Sequence, residues 1–398
     1  MPESKRQSGQ HGLPLLITVD VCDGAYDPGE RKARFKHVME TLPEIGAILN
    51  EVLNGGRSGP LPVTWFVRSD SQVDEATGSA AGLVRGWSDF WDEVRRAGGE
   101  LGWHPHLYKR EEQAWKPIRD PKRLASEADK IWRDVVASGW RPTSCRVGES
   151  VGCNELMAFL ESAGILVDST ALPGRMRDDG LRRFDWQITP DFPYHPAKVE
   201  YRRPAQTLAD GDRVTGEQPL KLLEIPFTTA AIRAPYDSFD PSTRPLKRYI
   251  DLSYDPDRLR RGIGNFKDFR YLALVIHPLQ AAGREIPHGG LVFGGAEVLR
   301  TNLKMVLDGI ERAGRVRKLL TMTAFRDLWV AREKLAGSQA MQSSGEKVQK
   351  RGKVGRTKGS TMRSSVEGAK STSKAAPVKP SVKGASRPRK ATPQKRRG

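Results

Sequence analysis

The chain has 398 residues, a hydrophobic share of 37% and a formal net charge of +18. That length and hydrophobic share suffice for one large domain or two ordinary ones with a real core, which excludes a wholly disordered chain. The charge is concentrated at the end, because residues 346–398 hold seventeen Lys and Arg against two Glu and leave only +3 for everything before them. The body of the protein is therefore nearly neutral and lacks the overall charge of a nucleic-acid-binding domain.

The basic tail contains no aromatic residue and no apolar periodicity, so it cannot bury enough surface to offset its ordering entropy. We predict that residues 337–398 are a disordered Lys/Arg-rich tail. Such a tail suits an anionic partner, either nucleic acid or a membrane surface, and a solvated tail without a partner is the alternative.

The cysteine content and the hydropathy pattern predict a cytoplasmic protein. Cys22, Cys145 and Cys153 form neither a disulfide framework nor a Cys-x-x-Cys metal pattern, which favours a reducing compartment. No stretch approaches the ~20 apolar residues of a transmembrane segment. We expect a cytoplasmic location, with the tail offering peripheral attachment to a membrane.

Short apolar runs alternate with helical patterns along the chain, which is typical of parallel strands joined by crossover helices. The predicted strands are 13–20, 62–67, 100–106, 143–146, 165–168, 220–227 and 271–278, with a last short segment at 319–322. The predicted helices are 31–53, 82–97, 121–138, 153–163, 296–313 and a final one to about 335. We expect a flexible N-terminus (1–12), one α/β domain (13–336) with an insertion at about 172–218, and the tail.

Polar residues follow many of these predicted strands. They are Asp20, Asp23, His104, His106, Arg146, Asp168, Glu224 and His277. Parallel strands end at one edge of an α/β fold, so these residues should converge. Each has an ordinary structural interpretation as well: an aspartate can cap a helix, an arginine can form an ion pair, and a histidine can be a satisfied core residue.

His104 and His106 carry the strongest chemical signal. Side chains two apart on a strand point to the same face, so both imidazoles can reach one metal ion. Pro105 between them suits a strand end that opens into a loop. Two loop histidines without a metal are the alternative.

The order of five segments resembles the polysaccharide deacetylase superfamily, that is, carbohydrate esterase family 4 and its divergent relatives. The segments are Leu16–Asp20, Thr64–Val67, Glu100–His106, Cys145–Gly148 and Leu274–Pro278. The resemblance implies a distorted (β/α) barrel of about seven parallel strands and a divalent metal, most commonly zinc. It also implies a hydrolase that removes acetyl groups from an N- or O-acetylated sugar or polysaccharide precursor.

The resemblance assigns roles to six residues. Asp23, His104 and His106 are the metal ligands, Asp20 is the general base, His277 is the acid, and Arg146 orients Asp20. Val21 and Cys22 separate two aspartates that are adjacent in the usual family pattern, so Asp20 remains an alternative ligand.

Two other functions fit the same residues. One is a metal-independent glycoside hydrolase that pairs Asp20 with Asp168 or Glu224. The other is a carbohydrate-binding or scaffold protein with a degraded site. A two-His-one-carboxylate iron oxygenase fits this βα rhythm less well. Phe184 and Trp186 in the insertion are expected to build its own small core rather than to stack on a sugar.

Overall fold

The computed structural model describes residues 12–22, 31–112, 114–178, 183–205, 207–210, 213–232, 246–283 and 294–336. Side chains at 31–34, 207–210, 213–216 and 246 are not described. The predicted flexible N-terminus and the predicted disordered tail lie outside these ranges, apart from Gly12.

The strands of the described part are β1 (Leu13–Val21), β2 (Thr64–Arg68), β3 (Glu100–His104), β4 (Tyr108–Glu111), β5 (Ala114–Pro117), β6 (Ser144–Cys145), β7 (Val167–Asp168), β8 (Met176–Asp178), β9 (Arg183–Asp185), β10 (Pro196–Ala197), β11 (Glu200–Pro204), β12 (Thr207–Asp210), β13 (Arg213–Gly216), β14 (Leu223–Glu224), β15 (Thr229–Ile232), β16 (Leu246–Asp251), β17 (Leu272–Ile276) and β18 (Arg317–Leu319). The helices are α1 (Arg31–Asn54), α2 (Ser71–Thr77), α3 (Gly82–Gly86), α4 (Ser88–Arg96), α5 (Pro121–Ala137), α6 (Asn154–Ser162), α7 (Pro256–Ile263), α8 (Pro278–Ala281), α9 (Ala296–Arg312) and α10 (322–336).

Ten of these strands form one curled, mainly parallel sheet in the order β14-β7-β6-β3-β2-β1-β17-β16-β15, with β18 beside the first part of β1. Every pair is parallel except β15 with β16. The α/β class is confirmed, but the expected count of about seven strands is wrong. β16 and β18 were missed because they carry Lys and Arg, and β15 because its Thr-Ala-Ala-Ile sequence is too weakly apolar for the pattern.

Strand β1 forms the centre of this sheet. Its nine residues are all buried, as a strand covered on both faces requires. It pairs with β17 along one edge and with β18 and then β2 along the other. The Thr18 hydroxyl also donates to the carbonyl oxygen of Leu274 at 2.8 Å.

One stretch of chain, residues 223–232, links the two ends of the sheet. It pairs with β7 as β14 and then with β16 as β15. Between these strands, the Phe227 amide donates to Ala171 at 3.0 Å, and Thr228 accepts from the Ile250 amide at 3.3 Å. This stretch curls the sheet in a manner consistent with a distorted barrel.

The predicted helix over 82–97 is in fact two helices, α3 and α4, which meet at Trp87. Trp91 of α4 is fully buried and its indole donates to the Leu83 carbonyl at 3.0 Å. The bend lets two short amphipathic segments cover the sheet where a straight helix was expected. None of the helices in the described ranges is long and apolar enough to cross a membrane.

The insertion folds mainly as short antiparallel strand pairs, β8 with β9, β10 with β11, and β12 with β13. Phe184 and Trp186 are buried there, which confirms a packing role. They join the main hydrophobic core of the domain, however, and do not form a separate one. The Trp186 indole donates to the Ser150 carbonyl at 2.8 Å and so fixes the insertion next to the end of β6.

Candidate active site

Side chains from the ends of four parallel strands meet at one edge of the sheet. The residues brought together are Asp20 near the end of β1, His104 at the end of β3, His106 after β3, Arg146 after β6, and His277 after β17. The expected convergence of these five residues is therefore observed. Asp23, the sixth residue of the expected site, lies outside the described residues.

Arg146 connects the strands of this site. Its Nη1 donates to Asp20 Oδ1 at 2.6 Å and to the Thr18 hydroxyl at 2.7 Å. Its Nε and Nη2 donate to the carbonyl and the hydroxyl of Ser169, both at 3.0 Å. The guanidinium is therefore fixed by groups from β1 and from the chain after β7.

Two aromatic rings enclose the same guanidinium. Its central carbon lies 4.3 Å from the ring centre of Phe66 and 4.2 Å from that of Phe227. Arg146 is only 1% exposed. A planar, weakly hydrated cation suits such a sandwich better than an ammonium group does.

Asp20 is held in its charged form. Burial raises its pKa, but the positive charge of Arg146, helped by its hydrogen bond to Asp20, outweighs burial and leaves the pKa of Asp20 below its ordinary value. Oδ1 is committed to Arg146, whereas Oδ2 lies 3.9 Å from Nε2 of His277. Asp20 therefore presents one oxygen of a stable carboxylate to the site.

His277 has a carboxylate partner that the sequence did not reveal, Asp251. Asp251 Oδ2 lies 2.8 Å from Nδ1 of His277, and Oδ1 accepts from the Ser253 amide at 2.9 Å. Burial lowers the pKa of His277, but Asp251 and then Asp20 outweigh it and raise that pKa above its ordinary value. Asp251 was missed because it ends β16, which has no strand-like apolar pattern.

His104 and His106 present nitrogen atoms to each other. Nδ1 of His104 lies 2.6 Å from the Arg146 carbonyl oxygen, which can only accept, so Nδ1 carries the proton and Nε2 has the lone pair. Nε2 of His104 lies 3.2 Å from Nε2 of His106. Burial lowers the pKa of His104, which favours the neutral, metal-binding form.

Asp70 supports His106 through the backbone. Its Oδ1 caps α2 by accepting from the amides of Gln72 and Val73, while Oδ2 accepts from Arg68 at 2.7 Å and from the His106 amide at 3.2 Å. His106 lies beyond the end of β3, so the pairing of that strand does not position it. The bond from its amide to Asp70 fixes its position instead. The expected same-face placement thus results from a supported turn as well as from the strand.

Cys22 completes a three-residue group with the two histidines. The Cys22 sulfur and one ring nitrogen from each of His104 and His106 all lie within 4.8 Å of one another, and all three residues are buried. Two imidazoles and a thiolate are typical zinc ligands, so this donor set fits such an ion.

A cleft of about 500 Å³ lies behind residues that pack against His106. Gly148 and Tyr108 form part of its wall, and the Tyr108 ring stacks on that of His106 with ring centres 6.1 Å apart. A Cβ at Gly148 would overlap the His106 imidazole, so a glycine is needed for this close approach.

Asp168 and Glu224, each a candidate partner of Asp20 in the glycoside hydrolase alternative, lie side by side on β7 and β14. They are 0% and 1% exposed, so neither presents its carboxylate to a sugar as a partner for Asp20. Burial, together with the charge of Asp168, raises the pKa of Glu224 well above its ordinary value. Thr170 donates to Asp168 at 2.6 Å and the Ala171 amide to Glu224 at 3.0 Å, so the pair is part of the packed interior.

No family model matches the chain, and no curated protein matches it in sequence. Three solved structures resemble its fold. A candidate polysaccharide deacetylase from Mycobacterium smegmatis has 16% identity and a TM-score of 0.44, and the match covers 81% of this chain and 92% of the other. A candidate polysaccharide deacetylase involved in O-antigen biosynthesis from Bordetella bronchiseptica has 11% identity and a TM-score of 0.34, with 74% and 89% covered. The 4-alpha-glucanotransferase from Thermococcus litoralis has 12% identity and a TM-score of 0.34, with 78% and 37% covered. At these identities and TM-scores, none of the three assigns a family or an activity to this chain.

Proposed function

We propose that the protein is a metal-dependent hydrolase that removes acetyl groups from an N- or O-acetylated carbohydrate, as a divergent member of the polysaccharide deacetylase superfamily. The observation that carries this proposal is that a proton acceptor and a proton donor lie beside a pair of nitrogens that can bind a metal ion. The Asp20 carboxylate and the His277 imidazole face each other at 3.9 Å, and the two imidazole nitrogens of His104 and His106 lie next to them, 3.2 Å apart.

The chemistry needs a base and an acid in opposite protonation states. A divalent metal, when bound, supplies a lowered pKa for water and polarisation of the acetyl carbonyl. Asp20 takes a proton from the attacking water through Oδ2. His277 gives a proton from Nε2 to the leaving amine or alkoxide as the acyl bond breaks, so acetate and a free amine or hydroxyl are the products.

The surrounding residues set these protonation states. Arg146 keeps Asp20 ionised and fixes the direction of its free oxygen. Asp251 raises the pKa of His277, which favours its protonated form, and orients Nε2 towards the site, because Nδ1 is occupied by the carboxylate. Both carboxylates are therefore positioned for separate tasks.

We propose zinc as the metal, with His104 and His106 as ligands. The expected role of Asp23 as the carboxylate ligand remains a prediction. The cleft beside Gly148 is the proposed path of the sugar chain, because two residues of its wall, Gly148 and Tyr108, pack against the His106 ring.

Acetate release from a panel of N-acetylated and O-acetylated sugars tests the proposal. The full chain is stripped with a chelator and assayed before and after zinc is restored. We expect activity only with metal, and its loss in Asp20→Asn and His277→Gln variants that still bind zinc. New reducing ends without acetate would instead show glycoside cleavage, and sugar binding without turnover would show a scaffold protein.

His37→Gln is the matched control for the histidine substitution. His37 is more than half exposed and pairs only loosely with Glu40 at 3.3 Å, on α1. It should retain the activity of the native chain. An equal loss in His37→Gln and His277→Gln would mean that the assay reports damage to the protein and not to the site.

The wider organisation is also a proposal. We retain the division into a flexible N-terminus (1–12), a barrel domain (13–336) with its insertion at about 172–218, and a basic tail (337–398). A cytoplasmic location and an anionic partner for the tail, nucleic acid or membrane surface, remain predictions from composition.

A further inference from the structure

We propose that the Cys22 thiolate is a direct ligand of the metal, beside His104 and His106, and that the site therefore selects a thiophilic ion. This inference rests on the metal-dependent function proposed above and replaces Asp23 as the third ligand. It also explains why two residues separate Asp20 from Asp23: one of the two supplies a ligand atom.

The backbone after β1 directs Cys22 to the site. Successive side chains of a strand alternate between faces, so Thr18 and Asp20 of β1 share one face, and Cys22 follows directly after the strand. The first two of these residues already contact Arg146. The Cys22 amide donates back to the Asp20 carbonyl at 2.8 Å, which forms a tight turn that keeps Cys22 at the sheet edge. Its side chain is 8% exposed and faces the interior of the site.

The distances fit a single ion. Zn–N bonds of ~2.0–2.1 Å and a Zn–S bond of ~2.3 Å at tetrahedral angles place the ligand atoms roughly 3.3–3.6 Å apart. The two Nε2 atoms are 3.2 Å apart, and all three ligand atoms lie within 4.8 Å of one another. The limit of 4.8 Å exceeds the tetrahedral value by about 1.2 Å, so a closing movement of at most about that size by the Cys22 side chain satisfies the geometry.

Asp20 is a poorer candidate for the third position. Its Oδ1 is occupied by Arg146, and its Oδ2 faces His277. It is absent from the group of potential metal-binding side chains found among the described residues, which consists of Cys22, His104 and His106. Asp20 is thus left for proton transfer, and the thiol supplies the negative charge that the ion requires.

A sulfur ligand changes which metal the site prefers. Thiolate and imidazole favour zinc and cobalt, whereas magnesium, calcium and manganese prefer oxygen. We expect zinc and cobalt to compete for one equivalent per chain, and a large excess of magnesium or manganese to displace neither.

Two measurements on the full chain test the ligand directly. X-ray absorption at the zinc edge of the native protein should show one Zn–S distance of about 2.3 Å together with nitrogen or oxygen neighbours. The cobalt-substituted protein should show a strong near-ultraviolet thiolate-to-cobalt charge-transfer band. Neither measurement depends on turnover.

Substitutions then assign the sulfur. Cys22→Ser should remove the charge-transfer band and weaken zinc binding by more than about tenfold, the smallest loss typical of damaged support around a metal. Cys153→Ser is the matched control, because Cys153 caps α6 by accepting from the Leu156 amide and serine is a favoured cap. It should leave the band unchanged, as should Asp23→Asn.

The outcomes separate the two proposals. Zinc bound without sulfur, with no cobalt band and with binding lost in Asp23→Asn, would overturn the Cys22 assignment while leaving a metal-dependent hydrolase. A native chain that takes up neither zinc nor cobalt would overturn both. Native absorption data decide the question even if Cys22→Ser fails to fold.

Discussion

Replacing Arg146 with methionine is the sharpest test of how this site is held together. The substitution keeps an unbranched apolar side chain between the rings of Phe66 and Phe227 but removes the charge that faces Asp20. It leaves a buried carboxylate without its cation. We expect a large loss of stability, caused mainly by that carboxylate.

The magnitude follows from burial. The side chains of Arg146 and Asp20 are 2% and 6% exposed, so water screens their interaction little. Removing one partner of such a buried pair costs about 3–5 kcal/mol. This is a substantial part of the ~5–15 kcal/mol that stabilises a typical folded domain. Arg146→Lys should lose less, because it retains a charge but not the bonds to Ser169.

Urea unfolding followed by circular dichroism measures the effect. The Asp20→Asn/Arg146→Met double variant should be more stable than Arg146→Met alone, because the unpaired charge is gone. Since the pKa of Asp20 is lowered in the folded protein, its contribution to stability is present above the unfolded pKa of ~3.9 and is lost as the pH falls through the folded pKa. The difference in the free energy of unfolding between the native protein and Arg146→Met should therefore become smaller in acid. Additive single effects at neutral pH would refute the proposed pairing.

Three further substitutions address the acid, the metal and the interior. Asp251→Asn should lower the raised pKa of His277. The alkaline limb of the pH–rate profile for acetate release should therefore shift to lower pH, because the acid loses its proton earlier. Gly148→Ala should push the His106 ring away and weaken zinc binding at least about tenfold in a competition titration. Glu224→Gln should flatten the pH dependence of the urea midpoint. The raised pKa of Glu224 in the folded protein contributes stability that is fully present below the pKa of the unfolded chain and is lost as the pH rises through the folded-state pKa. Glutamine does not titrate, so this pH-dependent contribution disappears.

Matched controls accompany the first two of these changes. Asp255→Asn removes a carboxylate four residues from Asp251 but keeps a good cap for α7, so the pH–rate profile should not move. Gly46→Ala places a methyl group where no neighbour lies within 4 Å, in the middle of α1, and should leave zinc affinity unchanged. If a control variant changed the pH–rate profile or the zinc affinity as much as the corresponding site variant, the change would not be specific to the site.

Much of the fold could be predicted because buried parallel strands have a simple signature. The continuous apolar runs of β1 and β17 are recognisable without a structure, and their polar ends, Asp20 and His277, follow from the rule that parallel strands end at one edge. The edge strand β15 and the charged strand β16 lack that signature. Their identity depends on neighbours that are distant in sequence.

The missed site residues show the same limit. Asp251 could not be found, because its strand was not recognised. Cys22 could have been found by the alternation that linked His104 with His106, since it lies two residues after Asp20. The family resemblance predicts carboxylates at this place, which makes Cys22 part of the spacer between Asp20 and Asp23. The contact between Asp70 and the His106 amide joins positions 36 residues apart, and no local pattern reveals it.

The central position of β1 has a consequence for biosynthesis. Strand β1 pairs with β17, and Thr18 bonds to a residue that lies 256 positions later in the chain. Strand β18, on the other side of β1, is later still. Neither side of β1 is therefore fully paired until most of the chain has left the ribosome. Contacts of such long range slow folding and leave apolar edges exposed in the meantime. The nascent chain must therefore keep this buried strand protected until β17 is synthesised, and coexpression with a chaperone that shields such edges should raise the yield of folded protein.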